Sequence, residues 1–446
     1  MEKGKSELMD RRTFVKATGA AAATVVLAGS IPASVTPVAA RKRYAMVGTG
    51  HRGTGMWGKD IFERYSNEIE FVGLCDKNAK RAEAGRKLIG ANCPTFTNFD
   101  EMLARVKPEL LIVTTMDSTH HEFITKALAK GVDVITEKPM VTEASQCQAV
   151  LDAEKEHNRK ITVAFNYRYA AKHQKIKETL QSGEIGKITS VDFSWYLDTS
   201  HGADYFRRWH RLKSGGGSLW VHKATHHFDL INWWIAADPV EVSAYGDLNI
   251  YGKNGEFRHT NCRSCPHKSK CPFYWDMTKD ARLMKLYAEC ETQDGYLRDG
   301  CVFREDVDIY DTMSAAIKYS NGVSMSYSLN ASMPIEGYRV AFNGTKGRLE
   351  VRDYEKQPWP EQFQSEMFLI KNFTGKRERI EMPNADSGHG GGDDRLRDVI
   401  FKNMTVPDHM KLPDSRAGAM SCLTGIAART SIEQKRPVKI SELVRL

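Results

Sequence analysis

No run in these 446 residues is long and apolar enough to cross a bilayer as a helix; the most apolar stretch is diluted by Thr, Gly, Ser and Pro. No polar low-complexity tract interrupts the chain either, and 41% of it is apolar, which leaves globular domains as the expectation. At this length two domains of moderate size are expected rather than one core. Excess charge is also scarce. The formal net charge is +8, and the first forty residues hold Lys3, Lys5, Arg11, Arg12 and Lys16 against Glu2, Glu7 and Asp10. That leaves about +6 on the remainder, with both signs interspersed, and excludes a nucleic-acid-binding arm.

What is present begins with DRRTFVK, Asp10 to Lys16, followed by the weakly apolar ATGAAAATVVLAGSIPA, then PVAA and a charged RKR. This resembles a twin-arginine signal peptide over residues 1–40, with cleavage near Ala40 and no cysteine of the kind a lipoprotein needs. The expectation is export to the periplasm in the folded state, without stable membrane insertion. Because that route carries folded proteins, often with a cofactor already loaded, the following residues should hold one.

RYAMVGTGHRGTGMWGKDIF supplies the signature: a short apolar strand running into Gly48-Thr49-Gly50-His51-Arg52-Gly53 and then a helix. In G-x-G-x-x-G, Gly48 permits the tight turn, Gly50 leaves room for a pyrophosphate, and Gly53 lets helix and strand pack closely. Free N–H groups at the helix start would bind the phosphates, with His51 and Arg52 inside the same loop. A second strand, EIEFVGLCD, ends in Asp76. A carboxylate there hydrogen-bonds the ribose of NAD and repels the extra phosphate of NADP, although the residue also suits a helix cap. NAD is the expected cofactor; NADP stays open. The alternation continues through the buried-type strand PELLIVTT, a helix from His120, the strand DVITEKPM carrying Glu137-Lys138-Pro139, a short strand and a helix, and ITVAFNYRY. Residues 41–162 read as a doubly wound Rossmann domain.

The glycine loop, Asp76, the EKP tripeptide, AFNYRY and the GGG-to-HHFDL segment, in that order, resemble the Gfo/Idh/MocA oxidoreductase family from about residue 43 onward. The resemblance implies an α/β fold with a C-terminal α+β domain, residues 163–446, built on an open, mostly antiparallel sheet. It also implies assembly into a homodimer or homotetramer through the outer sheet face, and a sugar-type substrate presented to the nicotinamide at the domain cleft. Period-two alternation in KITSVDFSWYL, VEVSAYGDL, MSAAIKYSNGVSMSYSLNAS, YRVAFNGTKGRLEVR and QSEMFLIKNF points to the same sheet independently.

Transfer of hydride from a carbinol carbon needs a base for the hydroxyl proton and a donor beside the forming carbonyl. By resemblance, Lys138 of EKP is the family's active-site lysine, and Glu137 beside it is expected at the cofactor. GGGSLWVHKATHHFDLINWW, Gly215 to Trp234, reads as one buried helix on which His222 and His226 share a face, as do Lys223 and His226. His226 is the expected general acid/base and Lys223 its helper, while His227 points elsewhere. His222 stands where relatives place an Asp. Substrate contacts are expected from Arg168, Tyr205, Arg208, Trp209, His222 and His389, since flat rings stack on sugar faces and Arg and His bind hydroxyls.

Nine cysteines include a group in an insert at about 255–301: Cys262, Cys265, Cys271, Cys290 and Cys301. C-x2-C-x5-C followed by further cysteines suits a structural zinc, with Cys262, Cys265, Cys271 and Cys290 as the ligand set. In an exported protein the same cysteines also suit disulfides. The function expected is hydride transfer to or from a sugar or glycoside hydroxyl, at ring carbon 3. The alternatives are a redox-neutral glycosidase that oxidises, eliminates, hydrates and reduces, and a cofactor-bound sugar-binding protein without turnover. Intact Lys138 and His226 speak against the last.

Overall fold

A computed structural model describes residues 41–360, 365–384, 388–402 and 404–445. The predicted export signal, residues 1–40, lies outside the described residues.

Strands β1 (Lys42–Val47), β2 (Ile69–Cys75), β3 (Thr95–Phe96), β4 (Leu110–Val113), β5 (Asp133–Thr136) and β6 (Ile161–Val163) form a six-stranded parallel sheet. The order is β3-β2-β1-β4-β5-β6, with the chain reversing direction across the sheet at β1/β4. All four residues of β4, LLIV, are buried, as a strand covered on both faces requires. The helix expected from His120 spans His120–Ala129. Between β5 and the helix Ala144–His157 the expected short strand is absent, and the chain runs through Pro139 as irregular backbone. AFNYRY is also not continuous strand: pairing stops at Val163, and Asn166–Tyr169 form a 3-10 turn.

The second sheet has nine strands in the order β14-β13-β12-β11-β7-β10-β9-β8-β15. They are β7 (Ile188–Asp198), β8 (Pro239–Asp247), β9 (Thr312–Tyr319), β10 (Ser324–Met333), β11 (Glu336–Gly344), β12 (Gly347–Lys356), β13 (Glu366–Lys371), β14 (Arg377–Ile380) and β15 (Val438–Lys439). Only β7 and β10 pair in parallel. β9 alternates exposed and buried residues without a break, so one sheet face packs inward and the other meets solvent. The helices Ala224–Ile235 and Ser415–Gln434 cover the inner face. An insert between β8 and β9 carries helices of three to six residues, from Gly252–Asn254 to Glu291–Asp294.

The C-terminal third does not stay with the second sheet. The helix Gly392–Phe401 returns to the first, where Leu396, Val399 and Phe401 join Tyr44, Met46, Trp57 and Tyr65 in one buried cluster. Ser415–Gln434 packs on β8 and Ala224–Ile235, and also on Ala144–His157 and β6. Both sheets therefore share elements, and the chemistry-bearing loops are held between them.

Candidate active site

The first strand-to-helix turn leaves no room for side chains. Gly48 has φ +92°, and a Cβ there would stand 2.6 Å from the Thr114 carbonyl carbon. At Gly53 a Cβ would lie 2.2 Å from Gly48 O. This tight loop matches the cradle a dinucleotide pyrophosphate needs. Asp76, 8% exposed, follows β2 and braces the loop. Its Oδ2 accepts from Thr49 N (3.0 Å) and Oγ1 (3.2 Å), and its Oδ1 from Asn78 N (3.0 Å) and Arg81 (3.4 Å). A ribose hydroxyl would join or exchange with one of these bonds.

Arg52 and Glu137, both expected at the cofactor, are paired with each other. Arg52 Nε donates to Glu137 Oε1 at 2.7 Å, and the rest of its guanidinium meets Asp393 at 2.8 and 3.1 Å. Glu137 Oε1 also accepts from Trp57 Nε1 at 2.7 Å. Asp393 further accepts from Asn166 at 2.7 Å and contacts His389 Nδ1 at 2.9 Å. Burial opposes ionisation of Asp393, yet His389 and the Arg52 cation hold its carboxyl far below the usual range. Arg52 is thus a tie between the glycine loop, the EKP segment and the returning C-terminal segment.

Lys138 precedes Pro139, whose carbonyl faces His120 Nδ1 at 2.8 Å. The lysine Nζ donates to His222 O at 3.0 Å. Burial lowers the Lys138 ammonium to about 8, with Asp117 and Glu137 pulling the other way. Sequence reasoning passed over Asp117. It is 3% exposed and its Oδ2 lies 2.5 Å from His222 Nδ1. Burial pushes Asp117 up and His222 down, so the pair shares one proton more readily than it separates full charges. His210 packs edge-on against His222 at 3.9 Å between centroids and stacks on Trp209 at 3.5 Å. Tyr205 faces both histidines, and its hydroxyl lies 2.9 Å from His201 Nε2, whose Nδ1 is 2.9 Å from Glu336. His201 and Glu336 were also not foreseen; both sit outside any recognisable motif. Arg208 lies over the Tyr205 ring at 5.4 Å while paired to Asp204 at 3.0 Å.

The stretch expected as one helix is broken. Gly217 and Ser218 have φ of 68° and 75°, a short helix runs Leu219–His222, and a new one starts at Ala224. The break at Lys223 still sends Lys223 and His226 inward. Lys223 Nζ donates to Tyr167 Oη at 3.3 Å and lies 5.1 Å from the Trp195 ring. His226 stacks on Tyr167 at 4.1 Å, and its Nδ1 is buried without a partner. Burial, then the cations Lys138 and Lys223, pull His226 well below the usual range and keep it neutral. His389 lies against the same Tyr167 ring at 5.6 Å. His227 packs away from this group, as expected, with Nδ1 2.7 Å from Tyr327 Oη.

Two residues were misplaced by the sequence reading. Arg168 gives both its contacts to Asp229, at 2.8 and 2.6 Å, and fastens the Asn166–Tyr169 turn to the helix Ala224–Ile235. It is a structural pair rather than a substrate contact. Cys290 does not join Cys262, Cys265 and Cys271: its thiol donates to Lys285 O at 3.3 Å, beside the glycine loop. Cys301 takes its place, lining one small cavity with the other three. All nine cysteines are free in this structure.

The distal end of the insert covers the glycine loop. Tyr287 Oη accepts from His51 N at 2.8 Å, and Arg282 donates to His51 O at 2.9 Å. Arg81 donates to Leu286 O at 3.0 Å and pairs with Asp294 at 2.7 Å. Asn78 donates to Cys290 O at 2.9 Å. One set of three candidate metal ligands, Asp117, His210 and His222, lies within 4.8 Å of one another among the described residues. The charges of Lys138 and Arg208 act on all three, which disfavours a dication there. A hydrogen-bonded proton network is the better description.

A parallel sheet with a glycine cradle at its crossover, facing a lysine, paired histidines and a carboxylate, defines a dinucleotide-dependent oxidoreductase. Residues 42–165 match the oxidoreductase family's NAD-binding Rossmann fold, and residues 177–440 match its C-terminal alpha/beta domain. The chain belongs to the Gfo/Idh/MocA family and is an NAD-binding oxidoreductase. It is 39% identical over 424 residues to YteT of Bacillus subtilis (strain 168), an oxidoreductase by name, spanning 91% of this chain and 99% of that one. Inositol 2-dehydrogenase of Gluconacetobacter diazotrophicus is 31% identical over 149 residues, 32% of this chain and 44% of that one. Among solved structures, the WlbA dehydrogenase of Bordetella pertussis in complex with NADH and UDP-GlcNAcA superposes with a TM-score of 0.62. It covers 90% of this chain and 99% of its own at 17% identity, a likeness of fold.

Proposed function

We propose that this enzyme transfers hydride to or from a hydroxyl-bearing carbon, ring carbon 3, of a sugar or glycoside. The observation that carries this reading is the grouping of Lys138, the Asp117–His222 pair and neutral His226, linked by the Lys138 bond to His222 O and by the charge of Lys138 acting on His226. Bound NAD supplies the hydride acceptor or donor. Lys138, half-buried and lowered to about 8, hydrogen-bonds the reacting oxygen and stabilises charge on it. His226, kept neutral, takes up the hydroxyl proton at Nδ1. Tyr205, Trp209 and His210 present ring faces and edges of the type that pack on pyranose faces. The resemblance of residues 1–40 to a twin-arginine signal supports a periplasmic location in this proposal, and the outer face of the nine-stranded sheet is its proposed self-association surface.

A redox-neutral glycosidase is the second reading, and the insert over the glycine loop favours it. A cofactor retained under Arg282 and Tyr287 suits a cycle that returns it to its starting state. The test is to purify the full chain, release nucleotide with acid, and incubate the protein with glycosides without added NAD. A keto-glycoside formed only with an electron acceptor supports the dehydrogenase; free sugar release supports the glycosidase. His226→Asn is expected to lower turnover about 100-fold or more with nucleotide still bound. Undiminished turnover in that variant would remove His226 from the mechanism.

A further inference from the structure

The helix Ala79–Ile89 starts just after Asp76, with Lys80 and Arg81 in its first turn. In a dinucleotide fold the 2′-phosphate of NADP is received near the end of the second strand, where an arginine accommodates it. Arg81 stands in that place, and the N–H groups of a helix start also favour a phosphate. The Rossmann domain thus offers a carboxylate that suits NAD and, beside it, cations that suit NADP.

The insert takes these donors one after another. Arg81 Nε donates to Leu286 O at 3.0 Å, and its Nη2 pairs with Asp294 Oδ2 at 2.7 Å. The remaining nitrogen, Nη1, faces Asp76 Oδ1 at 3.4 Å, and the guanidinium lies over the Tyr287 ring at 5.5 Å. Lys80 N donates to Gln293 Oε1 at 3.1 Å and its Nζ to Thr292 Oγ1 at 3.2 Å. Asn78 Nδ2 donates to Cys290 O at 2.9 Å. Arg81 and Asp294 are 7% and 8% exposed, so a phosphate could reach the guanidinium only by displacing the carboxylate. Burial opposes ionisation of Asp294, but Asn78, the Tyr296 amide and Arg81 hold its carboxyl below the usual range.

We propose that the segment Leu286–Asp294 fills the place of the 2′-phosphate and makes this enzyme selective for NAD, with Asp294 as the deciding residue. Asp294 gives Arg81 the negative charge that a 2′-phosphate would otherwise give it. With NAD the ribose hydroxyls meet Asp76, and Arg81 keeps its partner. With NADP a phosphate would meet two carboxylates, while Arg81, already neutralised, could not offset the repulsion. Selectivity therefore has a second source besides the carboxylate at the strand end, supplied by the insert between β8 and β9. The inference rests on NAD binding and not on the sugar chemistry of the cleft.

The test is titration of the full chain, freed of nucleotide, with NADH and with NADPH, followed by cofactor fluorescence. Wild type is expected to bind NADH about 100-fold or more tighter than NADPH. Asp294→Asn removes the charge and keeps the shape; it should tighten NADPH about tenfold and leave NADH within about threefold. Asp76→Ser alone should leave NADPH the weaker ligand, because Asp294 still holds Arg81. The double variant Asp76→Ser/Asp294→Asn should bind NADPH at least as tightly as NADH. Equal affinity of the wild type for both would overturn the proposal. So would a full reversal in Asp76→Ser with no effect of Asp294→Asn. If Asp294→Asn does not accumulate, Gln293→Ala frees the Lys80 N–H and should tighten NADPH about threefold; unchanged NADPH affinity there counts against the segment. Binding of neither dinucleotide would overturn the NAD reading as well, whereas NADH binding without these selectivity effects overturns this inference alone.

Discussion

His222 shows how one side chain can be identified from sequence and still be misjudged. Its position was legible from the GGG segment, but its partner, Asp117, lies 105 residues earlier and 2.5 Å away. No spacing rule joins two such residues; only the packing of the two sheets does. Arg168 erred in the other direction. An arginine beside aromatic residues reads as a ligand contact, whereas two of its three side-chain nitrogens are spent on Asp229, which is 1% exposed. Removing one partner of a buried pair strands the other charge, so Arg168→Ala is expected to destabilise the protein by about 3–5 kcal/mol in denaturant unfolding. A substrate role alone would raise KM and leave unfolding unchanged. Lys138 makes a pH-dependent prediction. Its folded value of about 8 lies below the ordinary 10.5, so the buried charge opposes folding at every pH below about 8. Between those values the unfolded chain binds more protons and stability rises with pH. Lys138→Met should therefore melt higher than wild type at pH 7, with the gap closing by about pH 10.

Elements explain why the constellation forms. GGGSLWVHKATHHFDLINWW was expected as one helix because its apolar residues recur at helical spacing. Positive φ at Gly217 and Ser218 and the break at Lys223 divide it, so that His222 can meet Asp117 while His226 stacks on Tyr167. The β-strands of the second sheet were easier to foresee, since period-two alternation survives intact in β9 and β10. The insert was legible only as a cysteine spacing. Its contact with the glycine loop through Arg282 and Tyr287 predicts slow cofactor loss. The double variant Arg282→Ala/Tyr287→Phe should release nucleotide about tenfold faster on repeated gel filtration, with the far-UV spectrum unchanged. Equal retention in variant and wild type would show that the strap does not hold the cofactor.

At the scale of the whole molecule, the returning helix Gly392–Phe401 and the shared helix Ser415–Gln434 tie both sheets into one body. The outer sheet face is polar, with Ser324, Ser326 and Lys318 outward along β9 and β10. Self-association through it predicts a mass of two or four chains by light scattering, weakened by a charged pair such as Ser326→Glu with Ser324→Glu. A monomer at micromolar concentration would refute that surface. Sequence alone determined the two sheets, the glycine cradle and the motif lysine, because strand alternation, tight turns and a strand-to-helix glycine pattern are local properties of consecutive residues. Tertiary structure decided the rest: that Asp117 completes His222, that Arg52 ties Glu137 to Asp393, and that Cys301 rather than Cys290 closes the cysteine set. Each joins residues from 30 to 341 positions apart. Contacts of that separation are fixed by which faces bury together, and no local pattern encodes them.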